Sequence, residues 1–121
     1  MATSEINEAT SQKLKALAEQ LVASLAERMT GIEDDYTSFA SPIWTKQAMD
    51  DFYASTHSLA GTAGSFGYMQ ISRAARDILN AIEPVMESDH QADDDARQSL
   101  DNMMVKLRAE IAEPKAEEGW L

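Results

Sequence analysis

The 121-residue sequence contains no cysteine, three prolines and five glycines. Without cysteine, neither a disulfide scaffold nor a cysteine-ligated zinc site can form. So few chain breakers favour long helices over a many-stranded sheet. Basic side chains are scarce as well, 10 Lys and Arg against 21 Asp and Glu, which leaves a net charge of -11. That surplus repels phosphate backbones and anionic headgroups, making nucleic acid and membrane surfaces poor candidate partners. No run of about 18 to 20 apolar residues is available to span a bilayer. The N-terminus, MATSEINEATSQKLK, carries no apolar segment behind a basic start, so no secretory signal is read there. The cytoplasm is the expected location.

What is present suits one folded domain: 44% hydrophobic and 26% charged residues over a length sufficient for a single core. Leu14, Leu17, Leu21, Leu25, Met29, Ile32, Tyr36 and Phe39 recur every three or four positions. They form one apolar stripe on a helix expected from about residue 11 to residue 39. Ser41-Pro42 reads as a break and a new helix start, with that helix running to Phe66 and ended by Gly67. Tyr68-Met69-Gln70 is the connection to a third helix, carried by Ile71, Ala75, Ile78, Ile82 and Val85 and fading near Ser88. An acidic loop then leads to a fourth helix with Leu100, Met103, Met104, Leu107 and Ile111, which Pro114 stops. The expected fold is all-α, an antiparallel up-down-up-down four-helix bundle over residues 11–113. Residues 1–10 are expected as a flexible N-terminus or short cap helix, and residues 114–121 as a tail.

The second helix carries the chemistry. At about 100° per residue, Ala48, Phe52, Ser55, Leu59, Ala63 and Phe66 share one face, and Asp50, Tyr53, His57, Gly61 and Gly64 share the other. Leu59 and Phe66 point inward, so His57 is expected to face solvent rather than sit satisfied in the core. Each glycine inside a helix costs about 1 kcal/mol relative to alanine, and two of them follow His57 on its side. Close packing against another helix is the usual reason for such glycines. Here they lie opposite the apolar stripe, which favours a surface cleared around His57 for a macromolecule to approach. An exposed imidazole keeps a ring nitrogen free to act as a nucleophile near neutral pH. A flat helix face offers no oxyanion pocket for Ser–His–Asp hydrolysis. Metal binding wants a second ligand three or four residues away, yet positions 53 and 61 are Tyr and Gly, leaving only Asp50, two turns off. No metal site is expected, and a transferable group held on His57 fits better.

The run His57-Ser58-Leu59-Ala60-Gly61-Thr62-Ala63-Gly64-Ser65-Phe66-Gly67 resembles the signature of histidine-containing phosphotransfer (HPt) domains. That signature runs His-x-Leu-Lys-Gly, then small residues, then a glycine ten positions after the histidine. Ile71–Arg76 resembles the family's next helix and Leu25–Glu33 its preceding one, so the likeness covers roughly residues 12–87. It implies a phosphorelay intermediate without kinase activity, taking a phosphoryl group on His57 from a receiver phospho-aspartate and passing it to another receiver. The implied partners are response-regulator receiver domains and hybrid histidine kinases. Tyr53, Ala60, Gly61 and Gly64 would form the docking patch. The chain itself would bind no cofactor, Mg²⁺ being expected in the receiver, and it would act as a monomer.

One departure from the signature matters. Ala60 stands where the family commonly has lysine, and no Lys or Arg occurs from Gln47 to Ser72. Counting back from the turn puts Arg73 and Arg76 beyond the level of His57 and Asn80 nearer to it. The expectation is that the partner neutralises the phosphoryl group, or that phospho-His57 is shorter-lived. Ala60 also keeps a second reading open, a helical adaptor that binds receivers or kinases without phosphotransfer. No glycine-rich nucleotide-binding segment is present, so a separate HPt protein fits better than a kinase module.

Other features read more plainly. His90 lies among Asp89, Asp93, Asp94 and Asp95, a solvated loop before a metal site. Met29, Met86, Met103 and Met104 fill core gaps, Trp44 anchors a helix start or the core, and Trp120 lies near the terminus. Residues 83–101 hold seven acidic side chains against Arg97 alone. The charge thus gathers at one end of the bundle, and the His57 patch is expected to be nearly uncharged.

Overall fold

The computed structural model describes residues 2–41, 45–88 and 92–116, with side chains from Glu8 onward. Four helices follow one another: α1 (Ala2–Phe39), α2 (Lys46–Ser65), α3 (Met69–Ser88) and α4 (Asp94–Ala112). No strand occurs among the described residues, in line with the scarcity of chain breakers. Each helix packs on its two neighbours in a ring, α2 between α1 and α3 and α4 between α3 and α1. Cross-helix pairs give the directions. Ser72 of α3 meets Ala60 of α2 while Glu83 meets Tyr53. Tyr36 of α1 meets Arg97 and Asp101 of α4 while Glu33 meets Arg108. Both pairings run antiparallel, and the result is the expected up-down-up-down bundle.

The stripe on α1 explains its docking: Leu21, Leu25, Met29, Ile32 and Phe39 are all buried. Against them stand Phe52 and Leu59 of α2, Ile71, Ile78 and Ile82 of α3, and Leu100, Met104 and Leu107 of α4. Met29 and Met104 are buried and Met86 and Met103 pack partly buried on the same core. Leu17 departs from the stripe, at 48% exposed. At that level of α1 the next residue, Ala18, is the buried one. The α2–α3 turn packs through Phe66 and Tyr68 at the level of Lys15 to Val22, and neither α2 nor α3 extends past it. α1 begins at Ala2, so residues 2–10 are its first turns and neither a loose leader nor a separate cap.

The helix ends follow local chemistry. Thr45 caps α2, its hydroxyl accepting the Ala48 N–H at 3.1 Å, so this helix starts at Lys46 and not at the proline. Asp93 caps α4 in the same way, accepting from Ala96 N–H at 2.8 Å. At the far end of α2, Gly67 takes φ 80°, the left-handed conformation that favours glycine. The Tyr68 N–H then reaches the Ala63 carbonyl at 2.9 Å and the Gly67 N–H the Gly64 carbonyl at 3.2 Å, a Schellman closure. That closure lets α3 begin at once, at Met69, so Met69 and Gln70 belong to the helix. Pro42, Trp44, His90 and Trp120 lie outside the described residues. No helix among the described residues is long and apolar enough to cross a membrane.

Candidate functional site

α2 is covered on two sides, by α1 and by α3. Its buried sector is therefore wider than the half-circle that a single apolar stripe suggests. Two strips of α2 result: Ala54, Ser58 and Gly61 face open solvent, whereas Tyr53, Ala60 and Gly64 face α3. His57 stands between them, exposed at the edge of the α2–α3 seam.

Beside His57 the seam opens into a cleft of about 350 Å³ lined by Tyr53, Ala60 and Gly61 of α2 and by Arg76, Leu79, Asn80 and Glu83 of α3. The His57 imidazole stacks on Tyr53, ring centroids 5.9 Å apart and 19° from parallel. The Tyr53 hydroxyl in turn donates to Glu83 Oε1 at 3.4 Å. Further along, Ser72 is fully buried and donates its hydroxyl to the Ala60 carbonyl at 2.9 Å. This bond pins α3 against the turn of α2 that follows His57. Thr56 is also fully buried, and its hydroxyl has no partner among the described residues.

The expected site residues separate on inspection. Gly61 fits a cleared surface: a Cβ built there meets nothing within 4 Å. Gly64 does not. A Cβ there would stand 3.1 Å from Ser72 Oγ and 3.8 Å from an Arg76 guanidinium nitrogen, so this glycine serves close helix packing. Ala60 is only 3% exposed. It forms the floor of the cleft rather than part of an outer docking surface, because it falls on the α3 side of α2. Tyr53 is half-buried and packs on the core, so it is a wall of the cleft and not an isolated surface tyrosine.

Counting from the turn missed the α3 side of the site. The pairs Ala60–Ser72 and Tyr53–Glu83 fix the antiparallel register, and by that register Arg76 and Leu79 stand across from His57. Arg76 therefore reaches the cleft, as Asn80 does, whereas Arg73 is not among its lining residues. Glu83 brings a carboxylate to the same cleft, so among the described residues a cation and an anion line the surroundings of His57, which are not uncharged. Small residues at Ala60, Gly64 and Ser72 allow the helices to meet there, but no one of them marks the pairing within its own segment. Among the described residues no three His, Asp or Glu side chains converge as a metal site.

A family model described as the Hpt domain matches residues 14–110. Comparison with curated proteins and with solved structures found no match.

Proposed function

The chain belongs to the Hpt domain family, whose members carry phosphoryl groups on histidine in phosphorelays and exchange them with receivers and kinases, and from that premise we propose that His57 is the phosphoryl acceptor. The observation that carries this reading is the exposure of His57 at the mouth of the cleft, its ring steadied by Tyr53. A ring nitrogen with a free lone pair attacks the phosphorus of a receiver phospho-aspartate. The N–P bond forms as the P–O bond to the aspartyl carboxylate breaks, and that electron pair leaves on the carboxylate. The second ring nitrogen keeps or releases its proton to water. Transfer to a second receiver is the same step reversed.

Phosphoryl transfer asks chiefly for in-line positioning and charge neutralisation. A helix face bare at Gly61 lets a receiver's acidic pocket, with its Mg²⁺, close over His57. The chain needs no nucleotide site of its own for this exchange. Incubation with a phosphorylated receiver tests the reading. Acid-labile, base-stable label should appear on the wild type and not on His57→Gln. If receivers bind both forms equally and transfer label to neither, the chain is an adaptor, the reading that Ala60 in place of lysine favours.

A further inference from the structure

The geometry points to Arg76 as the residue that holds the phosphoryl group on His57, reaching from α3 into the space that a lysine at position 60 would fill. This assignment rests on the reading of His57 as the acceptor.

Four observations converge on it. Among the described residues, Arg76 is the one cationic residue lining the cleft that His57 borders. The α2–α3 register sets it across from His57. Its guanidinium lies over α2 where Gly64 has no side chain, one nitrogen 3.8 Å from the place a Cβ would occupy. The absence of that Cβ lets a planar group lie flat along the seam. Arg76 is exposed, and no hydrogen bond or ion pair with another described residue engages it. Ala60 completes the arrangement, since its methyl leaves the floor of the cleft low enough for the guanidinium to swing toward the ring.

A phosphoryl group on His57 would present oxygens to the Arg76 N–H donors, a charge-assisted pairing for which the guanidinium fork is well shaped. The opposing charge in the cleft, Glu83, is drawn toward the hydroxyl of Tyr53, away from the end that Arg76 occupies. The cleft is polarised, with its cation beyond Ala60 and its carboxylate at Tyr53.

The consequence is chemical. Hydrolysis of an N-phosphorylated imidazole runs through the ring-protonated form: water adds to phosphorus, the N–P bond breaks and its pair returns to the ring. A cation beside the phosphoryl group disfavours that protonated ring. Arg76 therefore lengthens the life of phospho-His57 in the absence of the family's lysine.

The test uses the whole chain phosphorylated with phosphoramidate, comparing wild type, Arg76→Ala, Arg76→Lys and His57→Gln. Phosphorus NMR follows both the decay of the phosphohistidine and the pH at which its ring takes up a proton. Removal of Arg76 should shorten the lifetime at neutral pH about threefold and raise the ring's protonation midpoint by about half a pH unit, the scale of an exposed charge pair. Arg76→Lys should recover most of both, which a merely structural role would not produce. Equal lifetime and midpoint in wild type and Arg76→Ala overturn the assignment while leaving His57 as acceptor. A phosphohistidine signal that His57→Gln leaves undiminished overturns the acceptor reading, and this assignment with it.

Discussion

The ring of Tyr53 lies under the imidazole of His57, 5.9 Å between centroids and 19° from parallel, and its hydroxyl reaches across the seam to Glu83. One side chain thus fixes the plane of the nucleophile and ties α2 to α3. The two roles come apart by substitution. Tyr53→Phe keeps the stack and loses the long bond to Glu83, so phosphoryl uptake from a receiver should stay within about twofold of wild type. Tyr53→Ala frees the imidazole to rotate and should slow uptake by about fivefold, the range of an aromatic pair worth ~0.5–1.5 kcal/mol. Equal rates for the two variants would show that the stack does not orient His57.

Gly61 and Gly64 share a helix and a face by the wheel, but respond oppositely to a methyl group. At Gly61 the added Cβ meets nothing, and the helix gains ~1 kcal/mol of propensity. Gly61→Ala should therefore raise the denaturant midpoint while weakening receiver docking, since the methyl stands beside His57. At Gly64 the Cβ presses on Ser72 Oγ at 3.1 Å, an atom already held by the Ala60 carbonyl. The propensity gain is offset there, and Gly64→Ala should stabilise only in a Ser72→Ala background. Chemical denaturation of the four combinations measures this coupling. Equal stabilisation by Gly61→Ala and Gly64→Ala would remove the packing role assigned to Gly64.

The sequence pattern made the bundle legible because three- and four-residue spacing of Leu21, Leu25, Met29 and Ile32 allows one docking face only. His57 was legible for a related reason, as a nucleophile lying off the apolar stripe of its own helix. The α3 half of the cleft was hidden. A wheel treats each helix alone, while α2 is buried on two sides, which draws Ala60 and Gly64 into the seam. Register between helices depends on where small residues let backbones approach. The hydroxyl of Ser72 against the carbonyl of Ala60 sets that register, and neither residue marks the pairing within its own segment. Leu17 failed in the opposite way: its spacing is right, but Ala18 beside it takes the buried position at that level.

Thr56 precedes His57 in sequence and points into the bundle, fully buried, its hydroxyl without a partner among the described residues. An unsatisfied buried hydroxyl costs about 1–3 kcal/mol. Thr56→Val keeps the branched shape and removes that group, and should raise stability by about 1 kcal/mol in urea unfolding. Phosphoryl uptake should be unchanged, since His57 projects from a different side of the helix. A destabilised Thr56→Val would mean that the hydroxyl has a partner in solution.

Tyr36 joins α1 to α4 at the opposite flank of the bundle. Its ring packs on Phe52 at 5.2 Å, and its hydroxyl donates to the Asp101 carboxylate and lies 3.3 Å from the Arg97 carbonyl. Burial, then the hydrogen bond and negative charge of Asp101, push the phenol well above its ordinary value of 10.0, only partly countered by Arg97. The folded state thus favours the protonated phenol. Its contribution to stability is fully present below about pH 10, where the unfolded chain also keeps its proton, and is lost as pH rises toward the folded-state value. Tyr36→Phe should cost about 1 kcal/mol at neutral pH through loss of the hydrogen bond. The gap between the two proteins should then narrow above about pH 10, because phenylalanine has no proton to release in the unfolded state. Urea midpoints at neutral pH and at about pH 11 measure that gap. A difference that stays constant over this range would show that Tyr36 titrates alike in the folded and unfolded chains, and that Asp101 does not hold its proton.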